Sequence, residues 1–115
     1  MGFKSLYITY APNADPNQHR SVIDTGNYKL FSVAVTDQAQ AIEAAQELIE
    51  NEGIHSIVLC PGFTHQEVGK FTEAVGENVA VSIARTDGPG HRVSAKIIKQ
   101  EGLGPKTGTH KGNGS

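Results

Sequence analysis

Apolar and polar residues occur along the chain in short blocks, and the spacing within each block predicts strands separated by helices. Apolar and aromatic residues dominate "FKSLYITY" (residues 3–10) and "KLFSVAVT" (29–36), which predicts two strands. In the runs "HSIVLC" (55–60) and "NVAVSIAR" (78–85) the apolar residues are consecutive and do not alternate with polar ones, a pattern typical of strands that are covered on both faces. Four strands are therefore expected.

A helix is predicted over residues 37–53, between the second and third strands. Ala, Leu and Ile recur there three and four residues apart, so they form one apolar face. Asp37 and Gln40 resemble a capping box at the start of the helix, and Gly53 supplies a cap at its end.

A second helix is predicted to begin after Thr64 and to end at Gly76. Thr64 and Glu67 have the spacing of a capping box, in which each residue binds the backbone of the other. Residues 92–101 fit a strand or a helix, because their apolar residues satisfy both periods. We favour the helix.

Strands that alternate with helices indicate an α/β fold, in which right-handed crossovers build a mainly parallel sheet. The length of 115 residues suits a single domain. We therefore predict one small α/β domain over residues 1–101, with about four mainly parallel strands, helices packed on the sheet, and the order β-β-α-β-α-β. Residues 12–27 are rich in Pro, Asn and Asp and are predicted to form a long binding loop or lid. Residues 102–115 are rich in Gly, and a flexible tail is predicted there.

Composition narrows the class of protein. Hydrophobic residues make up 37% of the chain, charged residues 19%, and the net charge is −2, as in an ordinary globular domain. Lys and Arg are scattered, so we predict no nucleic-acid partner. No apolar run reaches the roughly 20 residues that cross a bilayer, and the N-terminus does not have the pattern of a signal peptide. We therefore predict a cytoplasmic protein without a membrane partner.

The carboxyl ends of parallel strands are where α/β sheets bind ligands. Cys60 lies there, before a helix N-terminus that would lower its pKa and attract anions. Cys60 is thus a candidate nucleophile, although we favour a buried role in the core. His65 is a candidate acid or base, although a solvated surface His is favoured. The same turn supplies the candidate ligand-binding residues Gly62, Phe63 and Thr64.

A second set of candidates follows the fourth strand in "RTDGPGH" (85–91). Arg85 is a candidate anion clamp. Asp87 and His91 are candidate catalytic residues, spaced to fold back on a ligand. A structural turn explains Asp87 equally well. Arg20, in the long loop, is a further candidate ligand-binding residue, although surface solvation is favoured for it.

No metal and no cofactor are predicted. A metal site of His19, His65 and His91 would need three loops to converge, and no H-x-H or H-E-x-x-H spacing supports it. Neither a G-x-G-x-x-G motif after a strand nor a P-loop occurs in the sequence.

Two motifs resemble those of a small bacterial family known as a domain of unknown function. Residues 14–20, "ADPNQHR", match its A-D-P-x-x-x-R loop, and residues 59–63, "LCPGF", match its L-C-x-G-F strand end. The resemblance implies a compact α/β domain and implies that Arg20 and Cys60 lie at the site of that family. It implies no activity. Val58 stands where the family has an acidic residue, so this member would bind without turnover if that acid is catalytic.

We expect the protein to bind or convert a small anionic metabolite at the carboxyl ends of the strands. An enzyme and a non-enzymatic binder both remain open. The alternative is a non-catalytic, oligomeric structural or interaction subunit. A homo-oligomer is expected in either case, because a short sheet leaves edges and helix faces to be covered.

Overall fold

The computed structural model describes residues 2–102 and is built around a five-stranded sheet. In chain order its elements are β1 (Phe3–Tyr10), β2 (Arg20–Asp24), β3 (Tyr28–Val35), α1 (Gln38–Glu52), β4 (Ser56–Leu59), α2 (His65–Val75), β5 (Ala80–Ile83) and α3 (Gly88–Gln100). The strands lie in the order β2-β3-β1-β4-β5. All neighbouring pairs are parallel except β2 with β3. The predicted α/β fold with a mainly parallel sheet is confirmed.

Strand β2 lies within residues 12–27, which the sequence predicted to be a loop. It pairs antiparallel with β3 at the edge of the sheet. Val22 and Ile23 are its apolar residues, and they are 51% and 57% exposed. The strand is therefore held by main-chain hydrogen bonds to β3 and not by burial of its side chains. Apolar periodicity in the sequence does not predict a strand of this kind. The connection to β3 is a tight turn, in which the Asp24 carboxylate accepts a hydrogen bond from the N–H of Gly26 at 2.9 Å.

The hydrophobic core lies on one face of the sheet. Leu6 and Ile8 of β1 are fully buried there, and the strand register places Phe31 and Ile57 beside Leu6. Helix α1 packs against β1, β3 and α2. Phe71 of α2 is buried in the same core, so both helices cover this face.

Both predicted helix starts are confirmed at atomic detail. Asp37 is the N-cap of α1 and accepts a hydrogen bond from the N–H of Gln40 at 2.9 Å. Gly53 ends α1 in the left-handed conformation, with a φ of 73°. In α2, the Thr64 hydroxyl accepts the N–H of Glu67 at 3.1 Å, and the Glu67 carboxylate accepts the N–H of Thr64 at 3.0 Å.

The opposite face of the sheet carries the alternate residues of every strand, because side chains alternate between the two faces. We call it the open face. From β2 to β5 it consists of Ser21, Ile23, Tyr28, Leu30, Ser32, Ala34, Phe3, Ser5, Tyr7, Thr9, Ser56, Val58, Ala80 and Ser82. None of these residues is charged.

The chain divides into two compact units, one over residues 1–84 and one that begins at residue 85. The second unit contains α3, so the favoured helix over residues 92–101 is confirmed, and it begins earlier than predicted, at Gly88. Every residue of α3 is exposed. No helix in residues 2–102 is long and apolar enough to cross a membrane. Beyond residue 102, the predicted flexible tail lies outside the described residues.

Candidate functional site

The predicted site lies where β1 and β4 end side by side. From β1 the chain continues to β2 and β3 on one side, and from β4 it continues through α2 to β5 on the other. Neighbouring strands whose connections diverge in this way leave a crevice at their carboxyl ends, where α/β proteins bind ligands. Tyr10 and Cys60 stand at this point of the sheet.

The Cys60 side chain is part of the core. It is 7% exposed, and its Sγ accepts a hydrogen bond from the backbone N–H of Tyr10 at 3.4 Å. Its own N–H donates to the carbonyl of Ile8 at 3.0 Å. A Cβ atom added at Gly62 would lie 3.5 Å from the sulfur and 3.3 Å from the Tyr10 ring. These contacts agree with the favoured role of Cys60 as a core residue.

Aromatic rings occupy the crevice. The rings of Tyr10 and Phe63 stack with centroids 4.2 Å apart and an interplanar angle of 14°. Phe63 is buried and meets the edge of Phe71 at 6.3 Å. Phe63, a candidate ligand-binding residue, therefore anchors the turn between β4 and α2 to the core.

The Glu67 carboxylate adds a negative charge to this corner. Burial raises the pKa of Tyr10, and the charge of Glu67 and a hydrogen bond to it raise it further. Tyr10 and Glu67 were not among the residues predicted for the site. The position of Tyr10 at the end of a strand could have indicated that it belongs to the site. The sequence explained Glu67 as part of the capping box, so it gave no reason to connect Glu67 with Tyr10.

Polar groups at the start of α2 are hydrogen-bonded to one another. The backbone N–H and the hydroxyl of Thr64 are both engaged by Glu67 in the capping box. His65, the first residue of α2, is exposed. Gln38 of α1 donates a hydrogen bond to the Glu67 carbonyl at 2.7 Å, which ties the two helices together at this end.

Arg20 lies at the far side of the sheet from Cys60. Strands β3 and β1 stand between β2 and β4, so three inter-strand spacings, about 14 Å, separate the two strands. The Arg20 guanidinium donates to the carbonyl of Pro16 at 2.7 Å and pairs with Glu47 at 3.4 Å. Arg20 thus links the long loop to α1.

The candidates of the second unit form a small group of their own. Arg85 and Asp87 are paired at 2.7 Å, and both side chains are mostly exposed. Asp87 occupies the N-cap position of α3, and its carbonyl accepts the N–H of His91 at 2.7 Å.

The described residues contain no group of three or more His, Cys, Asp or Glu side chains that could hold a metal ion. Asp15 and His19 are instead joined within the long loop, where the Asp15 N–H donates to Nδ1 of His19 at 2.8 Å.

Comparison with known proteins adds one match. A model described as a family of unknown function, DUF6506, matches residues 3–98. The chain belongs to the DUF6506 family. The resemblance to a family of unknown function is thereby confirmed, and the match spans both the long loop and the strand end at Cys60. No curated protein and no solved structure matches the chain.

Two surface depressions of this DUF6506 protein are lined by none of the predicted site residues. One, of about 210 Å³, is lined by Lys4, Asp24, Gly26, Tyr28 and Lys29, at the amino end of β1 and β3. The other, of about 540 Å³, follows α3 and is lined by Arg92, Val93, Lys96, Ile97 and Gln100.

The open face of the DUF6506 sheet exposes large apolar side chains. Phe3 stacks with Tyr28 at 5.9 Å between ring centroids and with His55 at 5.2 Å. The Tyr28 hydroxyl donates to the Ser5 hydroxyl at 2.9 Å. Phe3, Tyr28 and Ile23 are all exposed, whereas Ser5 is buried and Tyr7 and Leu30 are half-buried on the same face.

Proposed function

We propose that the protein is a non-catalytic interaction subunit that associates with itself through the open face of its sheet. The observation that carries the proposal is the absence of charge across all five strands of this face, together with exposed Phe3, Ile23 and Tyr28.

The size of the open face supports an interface. Strands about 4.8 Å apart, with a rise of about 3.3 Å per residue, give a face of about 20 Å by 20 Å, or about 400 Å². Exposed apolar patches are often interaction sites, and Phe3, Ile23 and Tyr28 form the exposed apolar part of this face. Parallel sheets are in addition found almost only with both faces covered, whereas α1 and α2 cover one face here.

The packing of the predicted catalytic corner supports a non-catalytic role. Cys60 is buried, and its sulfur is hydrogen-bonded to the backbone of Tyr10. The Tyr10 and Phe63 rings stack in the crevice, and Thr64 is bonded to Glu67. A nucleophile needs an exposed, ionisable thiol, and this corner has the contacts of a packed strand-to-helix turn.

A matched pair of lysine substitutions on β2 tests the proposal. Ile23 lies on the open face and Val22 on the opposite face, and both are more than half exposed. Ile23→Lys places a charge in the proposed interface, so we expect it to shift the protein towards the monomer in size-exclusion chromatography with light scattering. Val22→Lys should leave the oligomer unchanged. Equal oligomeric states for both variants and the unmodified chain would refute the proposal.

A second candidate function is the binding or conversion of a small anionic metabolite at the carboxyl ends of the strands. It is supported by the divergence of the chain at β1 and β4 and by the partial positive charge of the α2 N-terminus. The residues proposed for it remain Gly62, Phe63, Thr64 and His65. Thermal unfolding with inorganic phosphate and small carboxylic acids tests this function, because a ligand of the folded state raises Tm. A saturable rise that His65→Ala reduces would support it, and no rise with any anion would count against it.

A further inference from the structure

Strand β1 extends beyond β4 at its amino end. Ser5 is the first residue of β1 that is in register with β4, opposite Ser56, so Phe3 and Lys4 precede the paired part of the two strands. The backbone of Lys4 nevertheless faces the β4 side, since its carbonyl accepts the N–H of His55 at 2.9 Å. The N–H of Lys4 therefore has to find its acceptor before the start of β4.

The side chain of His55 supplies that acceptor. The Lys4 N–H donates to Nδ1 of His55 at 3.0 Å. His55 thus bonds to both backbone groups of Lys4, once through its own N–H and once through its ring. Its carbonyl accepts the N–H of Ala80 at 3.0 Å, which joins the same residue to β5. His55 therefore continues the hydrogen-bonded ladder of the sheet in front of β4.

The bond from Lys4 requires the neutral form of His55. A neutral imidazole has one nitrogen that accepts a hydrogen bond and one that carries a proton, and in His55 the accepting nitrogen is Nδ1. In the imidazolium form both nitrogens are donors, so Nδ1 would present a proton to the N–H of Lys4. Rotation of the ring does not restore the bond, because the imidazolium has no acceptor on either edge.

Stacking against Phe3 orients the His55 ring. The two ring centroids are 5.2 Å apart with an interplanar angle of 20°, and Phe3 stacks in turn on Tyr28. The N–H of Phe3 points the other way and donates to the carbonyl of Asn27, just before β3, at 2.9 Å. The consecutive residues Phe3 and Lys4 therefore direct their N–H groups to opposite sides of β1.

Ionisable groups of both signs lie on the elements around His55. They are Lys4 in β1, Glu52 at the end of α1, Glu77 in the turn before β5, and Tyr28 and Lys29 in β3. The Lys4 ammonium donates to the Glu52 carbonyl at 2.7 Å, and Lys29 pairs with Asp24 at 3.9 Å. Within residues 2–102 no ion pair joins His55 to a carboxylate. The hydrogen bond from Lys4 is thus the contact that distinguishes the two protonation states of the ring.

We propose that His55 is a pH-sensitive hydrogen-bond acceptor that closes the amino end of β1, and that protonation of its ring releases the N–H of Lys4 while Phe3 stays bonded on the β3 side. The inference goes beyond the proposed function and does not depend on self-association, because every bond lies within one chain. Protonation also places a charge beside Phe3, which belongs to the exposed apolar part of the open face.

Hydrogen exchange of single amides, followed by NMR at about pH 8 and about pH 5, tests the proposal, because histidines change charge between these values. Protection of the Lys4 amide, relative to its intrinsic exchange rate, should be about two- to tenfold lower at about pH 5, the effect of one lost hydrogen bond. The Phe3 amide is the matched control, since it donates to a backbone carbonyl that does not titrate. Its protection should change by less than about twofold.

Two substitutions of His55 identify the ring as the cause. His55→Asn places a carbonyl oxygen where histidine has Nδ1 and cannot be protonated in this range, so the Lys4 amide should be protected equally at both pH values. His55→Ala has no acceptor, so the Lys4 amide should lack this protection at both. The same pH dependence in His55→Asn as in the unmodified chain would overturn the proposal. Equal protection in His55→Ala and the unmodified chain at about pH 8 would do so too.

Nitrogen chemical shifts of the His55 ring provide a test that needs no substitution. At about pH 8 the proposal predicts a proton on Nε2 and none on Nδ1. A neutral ring with its proton on Nδ1 would overturn the inference. A protein that is monomeric at all concentrations but shows the predicted change at Lys4 would refute the proposed function and support this inference.

Discussion

The ring of Tyr10 lies flat against the ring of Phe63, with centroids 4.2 Å apart, and this pair joins the end of β1 to the turn between β4 and α2. The pair fills the crevice in which the sequence predicted a ligand. Phe63 also contacts Phe71, so the turn is held by the core of the domain.

Removal of the Phe63 ring should destabilise the protein strongly. Because Phe63 is buried, Phe63→Ala leaves a cavity and is expected to lower the free energy of unfolding by about 3 to 5 kcal/mol. Urea denaturation followed by circular dichroism measures this change. Val22→Ala, at an exposed position, is the control and should change stability by less than about 0.5 kcal/mol. A loss below about 1 kcal/mol for Phe63→Ala would contradict the packing described.

The thiol of Cys60 should react only after the protein unfolds. Its burial and its hydrogen bond from Tyr10 restrict access of an alkylating reagent. We expect iodoacetamide to label Cys60 much more slowly in the native protein than in urea, at every pH from about 5 to 9, as measured by mass spectrometry. Native labelling that is faster than labelling of the unfolded chain below about pH 7 would indicate a thiolate with a depressed pKa and would revive a catalytic role.

The capping box at the start of α2 should contribute measurably to stability. Thr64→Ala removes the hydroxyl that accepts the Glu67 N–H, and we expect a loss of about 1 kcal/mol in the free energy of unfolding. Thr64→Ser keeps the hydroxyl and serves as the control, with a loss of less than about half as much. Equal losses for the two substitutions would argue against the capping role.

Tyr10 should make the protein sensitive to high pH. Burial, and secondarily the Glu67 carboxylate, raise the pKa of Tyr10 in the folded state above its ordinary value of 10.0. Above about pH 10, the folded state holds a proton that the unfolded state loses. The contribution of Tyr10 to the free energy of unfolding is therefore fully present below about pH 10 and decreases as the pH rises above that value. Urea denaturation at pH 9 and at about pH 11 should show this fall, and Tyr10→Phe should show less of it.

Ultraviolet titration of the tyrosinate form supplies an independent check on Tyr10. In the folded protein, the number of tyrosines that titrate near pH 10 should be lower than in urea, and Glu67→Gln should bring the pKa of Tyr10 closer to its ordinary value. Titration of every tyrosine at its ordinary pKa in the folded protein would contradict the described environment.

Sequence patterns predicted the elements that have local signals. The caps at Asp37 and Thr64 and the apolar periods between them determine α1 and α2, and the apolar runs locate the four parallel strands. Strand β2 has no such signal, because it is an edge strand whose apolar residues are exposed. Its existence depends on pairing with β3, which is a property of the fold.

The candidate site was less predictable, since it depends on distances across the sheet. The sequence correctly indicated the end of β4 as a corner before a helix, with Cys60 favoured as a core residue. The sequence could not show that Arg20 and Cys60 are separated by three inter-strand spacings, because no local sequence pattern determines the order of strands in a sheet. The open face was visible in part, as alternating small residues in "LFSVAV" of β3. Its continuity across five strands emerges only from the register.

Sedimentation equilibrium of the full chain tests the central claim most directly, because it measures mass without labels or substitutions. The chain has a mass of 12.2 kDa. If the open face is an interface between copies of the chain, the measured mass should approach twice this value as concentration rises from about 1 to about 100 µM, the range in which modest interfaces form. A mass of 12.2 kDa throughout that range would contradict the account.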